Sequence, residues 1–266
     1  MIDIDFSGKS VLVVGGSSGI GNGIARAFLD QGANVHVWGT RANAKDYQGI
    51  EGSDLTGLGY SCVNVADAAL VDAAPDPFET LDVVVLSQGF VLYRRAEFEK
   101  DGWDQVMDVN LNSVMHCSRR FYPLLKSSGG SLVIVSSTSG FQANRGNPAY
   151  AASKAGAVSL TKTLGQAWAR DGIRVNGIAP GLVDTKLTQV TVAHPQRLAG
   201  ALQQIPMGRL GTPQDMAGVA LFHEFSLRIA VGGALGIALY KMLLSPFLRS
   251  APCWMVLSTP EFLSTR

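Results

Sequence analysis

The residues that first suggest chemistry in this chain are a tyrosine and a lysine four positions apart, Tyr150 and Lys154. The preceding Asn147-Pro148 predicts a helix start, because asparagine is a favoured N-cap and proline suits the first helical position. Residues four apart on a helix share a face, so the ammonium would lie near the phenol. A nearby positive charge favours the phenolate and lowers its pKa below the free value of about 10. The pair is therefore a candidate proton donor or acceptor near neutral pH.

A serine hydroxyl is predicted beside this pair. The buried strand predicted over residues 131–136 ends just before Ser137, whose hydroxyl could hydrogen-bond a substrate oxygen next to the phenol. The helix is predicted to run to about Arg170, with Gly172 just past its end. A Tyr–Lys pair at this spacing is by itself more often a surface coincidence than a catalytic pair, so the functional interpretation depends on a second motif.

That second motif is a glycine-rich turn near the N-terminus. Residues 10–14 are typical of a buried parallel strand, a helical pattern over residues 24–29 stops at Gly32, and a second strand is predicted over residues 34–38. Glycines at the turn of such a βαβ unit let the backbone approach a pyrophosphate, which the helix N-terminus attracts. The alternative is a structural turn that binds nothing. The predicted phosphate-binding residues are Gly15, Ser17, Ser18, Gly19, Ile20 and Gly21.

The end of the second predicted strand bears on the choice of dinucleotide. An acidic residue there binds the adenosine ribose hydroxyls and selects NAD, whereas a basic residue accommodates the 2′-phosphate of NADP. This chain has Thr40-Arg41 at that point and no acid. Arg41 could pair with a phosphate bidentately, which favours NADP(H) over NAD(H). The alternative is that Arg41 is a solvated loop cation.

Strands alternating with helices predict an α/β fold, a Rossmann-like doubly wound parallel sheet with helices on both faces in a single domain. Four further strands are predicted over residues 58–65, 81–86, 131–136 and 173–179, with a short helix over 66–74 and a long helix over about 102–125. Residues 42–57 show a poor helical pattern. Asn110 lies among apolar residues of the long helix and is either a satisfied core amide or a functional one. Residues 182–206 are the predicted substrate lid.

Composition excludes several classes of function. The chain has 266 residues and is 47% hydrophobic and 16% charged, which indicates a well-packed globular protein. Its net charge of +1 gives no electrostatic reason to expect nucleic acid or an anionic membrane as partner. Three cysteines without paired spacing favour reduced thiols in a cytoplasmic protein. The acidic N-terminus lacks the apolar core of a signal peptide. The four histidines lie far apart, so no metal site is predicted.

With these motifs placed, residues 6–222 resemble the classical short-chain dehydrogenases/reductases. The resemblance rests on a Gly-x-x-x-Gly-x-Gly turn, an asparagine on the fourth helix, a serine thirteen residues before the tyrosine, and Tyr-x-x-x-Lys. In that family the last four residues form a catalytic tetrad, which corresponds here to Asn110, Ser137, Tyr150 and Lys154.

The resemblance implies a role for each member of the tetrad. Tyr150 would exchange a proton with the substrate oxygen, and Ser137 would hold and polarise that oxygen. Lys154 would bind the nicotinamide ribose and lower the pKa of the tyrosine, and Asn110 would hold a water of the proton relay. Hydride would pass between the substrate carbon and the nicotinamide ring, which is chemistry that the cofactor supplies.

Further cofactor contacts follow from the same resemblance. Thr185 matches the position that contacts the carboxamide, and the family commonly forms dimers through its fourth and fifth helices, which implies a homodimer or homotetramer. The implied contacts beyond the glycine turn and Arg41 are Asn64, Val65, Ser87, Gly89, Tyr150, Lys154, Pro180, Gly181, Val183 and Thr185.

Three short departures from the family pattern lie near the predicted cofactor site. Val14 replaces a threonine before the first glycine, and Asn64 replaces an aspartate that normally meets the adenine. Residues 86–89, Leu-Ser-Gln-Gly, replace Asn-Asn-Ala-Gly. Two amides are lost there, so other side chains must make the hydrogen bonds that steady this strand end.

The C-terminal tail departs most. The sequence predicts a catalytic domain over residues 1–222 and an apolar tail over 223–266 that is not an independent domain. The seventh strand that the family has at this point cannot be recognised over residues 223–244. Residues 229–244 are apolar but include Lys241 and are shorter than the roughly 20 residues of a membrane span. Two accounts of the tail remain open. In the first, it is a divergent ending that packs as a hydrophobic helix at the sheet edge or at a subunit interface. In the second, it is the product of a reading-frame change, which would leave the sheet edge uncovered.

Three hypotheses of function follow. The leading one is an NAD(P)-dependent oxidoreductase that interconverts a secondary alcohol and a ketone with Tyr150 as general acid/base. The second is a dinucleotide-binding protein that the atypical tail leaves catalytically impaired. The third is a form of the enzyme anchored to a membrane through residues 227–248. The substrate is a small alcohol or ketone, and apolar positions in the predicted lid hint at an apolar one.

Overall fold

Seven strands form one sheet in the computed structural model, which describes residues 5–230 and 254–258. Their spatial order is β3-β2-β1-β4-β5-β6-β7. The first six strands are parallel, and the seventh runs antiparallel to the sixth. Their bounds are β1 Ser10–Val14, β2 Asn34–Gly39, β3 Gly59–Cys62, β4 Val83–Leu86, β5 Ser131–Val135, β6 Arg174–Pro180 and β7 Trp254–Ser258.

Helices cover both faces of this sheet. Strand β1 shows why, because Leu12 and Val14 pack into one apolar core while Val11 and Val13 pack into the other. The first core is closed by α2, α4 and α5, and the second by α1 and α8. The helices are α1 Gly19–Asp30, α2 Ala68–Ala73, α3 Lys100–Met107, α4 Ser113–Ser128, α5 Pro148–Trp168, α6 Gln189–Val192, α7 Pro195–Gln204 and α8 Pro213–Ala230.

The predicted doubly wound α/β architecture is confirmed. Each of the six predicted strands is present within three residues of its expected ends. The predicted long helix is also present, but α3 and α4 are joined by a π-helical segment, Asp108–Asn112, with Asn110 at its centre. Single π turns inside α-helices commonly mark functional sites.

The connection between β2 and β3 contains only one short 3₁₀ turn, Ala44–Tyr47. The poor helical pattern of residues 42–57 predicts this absence of a regular helix. Its consequence is that the segment folds back on itself beside the end of β2, where a dinucleotide-selecting side chain is expected.

A seventh strand lies beyond residues 223–244, the stretch in which the sequence shows none. Residues 254–258 pair with β6 from Asn176 to Pro180. The pairing is antiparallel, and it satisfies backbone groups at the outer edge of β6 that would otherwise face solvent.

Helix α8 runs past residue 222, where the sequence predicts that the catalytic domain ends. The side chain of Glu224 is fully buried, and it accepts hydrogen bonds from Ser131 Oγ at 2.6 Å and from Arg174 Nη2 at 2.9 Å. The start of the predicted tail is therefore tied to β5 and β6. The division into residues 1–222 and 223–266 stays a prediction.

The predicted apolar segment 229–244 and the predicted anchor 227–248 lie almost entirely outside the described residues. Among the helices that the structure does describe, none is both long enough and apolar enough to cross a bilayer.

Candidate active site

Four chain segments that bear predicted site residues meet at the carboxyl ends of the parallel strands. The glycine turn follows β1, residues 87–89 follow β4, Ser137 follows β5, and Pro180-Gly181 ends β6. Ligands of doubly wound sheets bind in the crevice outside these strand ends. The fold thus places the predicted residues of the cofactor and substrate sites along one edge.

Tyr150 and Lys154 lie on the same face of α5, as their spacing predicts. The Lys154 ammonium is 5.8 Å from the centre of the Tyr150 ring. It is buried and donates a hydrogen bond to the backbone carbonyl of Val135 at 2.9 Å. Burial lowers the pKa of Lys154 to about 8, because desolvation penalises the charged ammonium.

The expected lowering of the tyrosine pKa is not what the structure shows. Burial is the largest influence and raises the pKa of Tyr150 above its ordinary value, while a hydrogen bond with the Ser137 hydroxyl opposes that rise. Nearby Tyr93 and Glu97 raise the pKa further. Lys154 is not among the groups that shift this pKa, and its ammonium is directed to the carbonyl of Val135. Tyr150 is therefore protonated at neutral pH and suited to donate a proton.

Ser137 is held at the start of a 3₁₀ turn, Thr138–Gly140. Its Oγ accepts a hydrogen bond from the backbone N–H of Ser139 at 3.1 Å. Because that bond uses an acceptor site of the oxygen, the hydroxyl proton is free to be donated to the tyrosine or to a substrate oxygen.

Asn110 is a satisfied core amide in this structure. Its Oδ1 accepts from Phe90 N at 2.7 Å, and its Nδ2 donates to Phe90 O at 2.8 Å and to Ser153 Oγ at 3.2 Å. These bonds join the π segment, the strand end after β4 and α5. The role of Asn110 in a water relay stays a prediction, and the protein contacts show instead how the residue positions both flanks of the site.

The loss of two amides after β4 is partly compensated by Gln88, which the sequence did not single out. Gln88 is buried, and its Nε2 donates to Ser113 Oγ at 2.9 Å. Ser113 in turn donates to Val109 O at 2.6 Å. The strand end is therefore anchored to the start of α4. The signal in the sequence was the replacement itself, a polar amide within an otherwise altered family motif.

The glycine turn needs its glycines because side chains at two of them would clash with neighbouring backbone. A Cβ at Gly15 would lie 2.7 Å from Gln88 N, and one at Gly21 would lie 2.3 Å from Gly15 O. Gly15 and Gly19 both have positive φ, which glycine adopts without strain. The glycines therefore allow the turn to pack tightly before α1, where the N–H of Gly19 donates to Gly52 O at 2.9 Å, and binding of a pyrophosphate here stays a prediction.

The nicotinamide end also fits a cofactor. A Cβ at Gly89 would lie 3.8 Å from Lys154 Nζ, and a Cβ at Gly19 would lie 3.4 Å from Thr185 Cγ2. These two approaches bring the glycine turn, the strand end after β4, the lysine and the start of the lid to one cleft. Contacts of Lys154 and Thr185 with a nicotinamide riboside stay a prediction.

The remaining predicted contacts differ in accessibility. Asn64 is exposed, and its Oδ1 accepts from Ala66 N at 3.2 Å. Val65 and Val183 are buried in the apolar cores, so these two side chains support the site from behind. Ser17 is buried and Ser18 stands at the N-cap of α1, while Ser87 pairs through its backbone with Val14.

The adenosine end contains a tyrosine that the sequence did not single out. The hydroxyl of Tyr47 accepts hydrogen bonds from the backbone N–H groups of Thr40 at 3.1 Å and Arg41 at 3.2 Å. The Arg41 guanidinium lies 5.0 Å from the Tyr47 ring centre and donates to Asp46 O. Arg41 is thus placed at the end of β2 as predicted, but its side chain turns toward its own loop.

The predicted lid lies beside the loop that follows β4. Tyr93 donates from its hydroxyl to the carbonyl of Leu187 at 2.7 Å. This bond joins residues 89–95 to the short 3₁₀ turn Lys186–Thr188. Within the ranges that the structure describes, no group of three or more His, Cys, Asp or Glu side chains is arranged to hold a metal ion.

Comparison with known proteins decides the family. A family model described as enoyl-(acyl carrier protein) reductase matches residues 14–223. The chain belongs to the short-chain dehydrogenase/reductase family. The family match and the assembled site together make this short-chain dehydrogenase/reductase a nicotinamide-dependent oxidoreductase that transfers hydride between the cofactor and a secondary alcohol or ketone.

Relatives of this short-chain dehydrogenase/reductase differ in their substrates. It is 37% identical to a 3-oxoacyl-[acyl-carrier-protein] reductase of Chlamydia muridarum over 80% of this chain and 89% of the relative. It is 35% identical to a 2-dehydro-3-deoxy-D-gluconate 5-dehydrogenase of Pseudoalteromonas atlantica over 86% of this chain and 93% of the relative. A Beutenbergia cavernae structure described as an NAD(P)-dependent gluconate 5-dehydrogenase with bound NADP matches with a TM-score of 0.73 and 33% identity, covering 83% and 91% of the two chains.

Proposed function

We propose that this enzyme is a ketoreductase, which reduces a ketone to a secondary alcohol with NADPH as the hydride donor. The observation that carries the proposal is the position of the Tyr150 phenol, whose pKa burial raises, beside the Ser137 hydroxyl and the Lys154 ammonium. A donor that holds its proton at neutral pH suits the reduction direction, in which the carbonyl oxygen must gain a proton.

Each residue of the site has a proposed part in this reaction. The nicotinamide supplies a hydride to the carbonyl carbon when it is bound. Ser137 donates a hydrogen bond to the carbonyl oxygen, and Tyr150 gives that oxygen its proton, so the product is a neutral alcohol. Lys154 would bind the ribose hydroxyls, and its positive charge would stabilise the phenolate that proton transfer leaves behind. Asn110 holds the loop after β4 against α5.

The proposal of a ketoreductase is tested by following NADPH and NADH oxidation over a panel of ketones. The relatives suggest two groups for that panel, 3-oxoacyl thioesters and keto acids derived from gluconate. Turnover of at least one ketone, with loss of the reaction in Tyr150→Phe, supports the proposal. Cofactor binding without turnover of any member would favour the alternative of a catalytically impaired protein.

Preference for NADP(H) is proposed from Arg41, a basic residue directly after β2 whose guanidinium would have to turn from its own loop to pair with a 2′-phosphate. A charge-assisted hydrogen bond contributes about 1.5–3 kcal/mol, so Arg41→Ala is expected to raise KM for NADPH by about tenfold or more. KM for NADH should change less than twofold, because NADH carries no 2′-phosphate. Steady-state kinetics with both cofactors measure the difference.

Lys45→Ala is the matched control for that variant. Lys45 is an exposed cation four residues further along the same loop. Its removal tests whether any positive charge in this region attracts NADPH. Equal effects of the two substitutions, or equal effects of Arg41→Ala on both cofactors, would contradict the selective role of Arg41.

Association into a homodimer or homotetramer through α4 and α5 is also proposed. The side chains of Met115 on α4 and of Trp103 on the preceding α3 are large, apolar and partly exposed. Light scattering after size-exclusion chromatography measures the assembly. A cytoplasmic location is proposed from the exposed free thiol of Cys62, which an oxidising compartment would leave open to oxidation.

A further inference from the structure

Glu97 is a fully buried carboxylate beside the active site that the proposed reaction does not use. It lies in a 3₁₀ turn, Ala96–Phe98, between the loop that follows β4 and the start of α3. Across the part of the chain that the structure describes, no lysine, arginine or histidine forms an ion pair with it. A buried carboxylate without a cation costs free energy unless hydrogen bonds stabilise it.

Three hydrogen-bond donors surround this carboxylate. Its Oε1 accepts from Leu92 N at 3.1 Å and from Asn147 Nδ2 at 3.0 Å, and its Oε2 accepts from Tyr150 N at 2.9 Å. One donor belongs to the loop after β4, and the other two belong to the start of α5. The carboxylate therefore joins the two segments that flank the reacting groups.

The bond to Tyr150 N–H replaces a local helix cap. The first N–H groups of a helix lack partners within the helix, and the partial positive charge there favours a carboxylate. Asn147 stands at the N-cap of α5 but makes no capping bond with its own side chain. It donates instead to Leu92 O at 2.6 Å and to Glu97. The cap of the tyrosine-bearing turn is thus supplied by a residue fifty-three positions earlier than Tyr150.

We propose that Glu97 is a positioning residue for the reaction, because its carboxylate fixes the first turn of α5 and the Tyr150 phenol against the loop after β4. The inference rests on the proposed role of Tyr150 as proton donor. It predicts an effect on the chemical step and little effect on cofactor binding, since none of the residues that Glu97 contacts lies at the glycine turn.

The charge of Glu97 adds a second, measurable effect. Tyr150 is faced by Glu97 from the 3₁₀ turn, by Tyr93 from the loop after β4 and by Lys154 from its own helix. Removing the negative charge should lower the pKa of Tyr150, because Glu97 contributes to its rise. The decline of the reduction rate at high pH should then begin at a lower pH.

Glu97→Gln is the variant of choice because it keeps the size of the side chain. A glutamine offers one acceptor oxygen and one NH₂ group, so it cannot accept from all three donors. We expect kcat to fall by about tenfold or more, since small displacements of reacting groups cost up to about 10²-fold. The Kd for NADPH, measured by its fluorescence, should change less than twofold, and the alkaline limb of the kcat profile should move to lower pH.

Two further variants keep the test decisive. Glu99→Gln changes an exposed carboxylate two residues away and should leave kcat and the pH profile unchanged. Asn147→Ala removes one of the three donors and should lower kcat by a smaller factor than Glu97→Gln does. If Glu97→Gln fails to fold, Asn147→Ala serves as the test in its place.

The outcomes separate this inference from the proposed function. Wild-type kcat and pH profile in folded Glu97→Gln, or a parallel loss of NADPH affinity and kcat, would overturn the positioning role. If Tyr150→Phe loses turnover while Glu97→Gln does not, only the inference about Glu97 fails. If Tyr150→Phe retains turnover, the proposed function itself fails.

Discussion

Replacing Tyr150 by phenylalanine is expected to reduce turnover of a ketone by about 10²- to 10⁴-fold, the usual contribution of a positioned general acid. The substitution removes one oxygen and keeps the ring, which is only partly exposed and sits on α5. Without the phenol, no group next to Ser137 can donate the proton that the carbonyl oxygen must gain. NADPH oxidation measured by absorbance, with the ketone in excess, gives the rate.

Cofactor binding should survive this change, because Lys154 and the glycine turn are untouched. We expect the Kd for NADPH to stay within twofold of the wild-type value. Tyr122→Phe is the matched control, since Tyr122 lies on α4, where its hydroxyl donates to Asp171 and its ring packs near Trp168. Full turnover in Tyr150→Phe would exclude Tyr150 as the proton donor.

Replacing Lys154 by methionine is expected to abolish turnover. It is also expected to raise the free energy of unfolding above that of the wild type, and by more at neutral pH than at alkaline pH. The ammonium is buried, and the folded state lowers its pKa to about 8 from an unfolded value near 10.4. Between these values the unfolded chain binds more protons than the folded one. The wild-type free energy of unfolding therefore rises with pH across this window, by at most about 3 kcal/mol.

The methionine variant should lack that rise. Burial also raises the pKa of Cys117 to about 12, which lowers stability as pH climbs above about 9, but both proteins share this cysteine and the difference between them cancels it. Urea unfolding at several pH values between 7 and 10 measures the difference. Identical pH dependence in the two proteins would contradict the buried, partly deprotonated lysine. Retained turnover in the variant would contradict its part in catalysis.

The order of strands and helices could be predicted because local patterns and tertiary packing agree. Residues 10–14 and 131–135 are short β-branched or aliphatic runs bounded by glycine or serine, and both form central strands. Asn147-Pro148 begins α5 as its residue types predict. The spacing of Tyr150 and Lys154 then fixes their common face. These features depend on residues close together in sequence.

Features that depend on contacts between distant residues could not be predicted. Glu97 caps α5 by accepting from the backbone N–H of Tyr150, fifty-three residues later, and the Tyr47 hydroxyl accepts from two backbone N–H groups after β2. The direction of the Tyr150 pKa was wrong for the same reason, because burial by the surrounding fold outweighs the neighbouring lysine. The antiparallel strand at 254–258 also depends on pairing with β6, which its five residues do not specify.

The most direct test of the central claim is a crystal structure of the enzyme with NADPH bound. We predict that Lys154 Nζ lies within about 3 Å of a hydroxyl of the nicotinamide ribose and that the Tyr150 hydroxyl faces the space beside the nicotinamide ring. The pyrophosphate should lie over the glycine turn between Gly15 and Gly21. A ribose beyond hydrogen-bond reach of Lys154, or a Tyr150 hydroxyl directed away from the ring, would contradict the account.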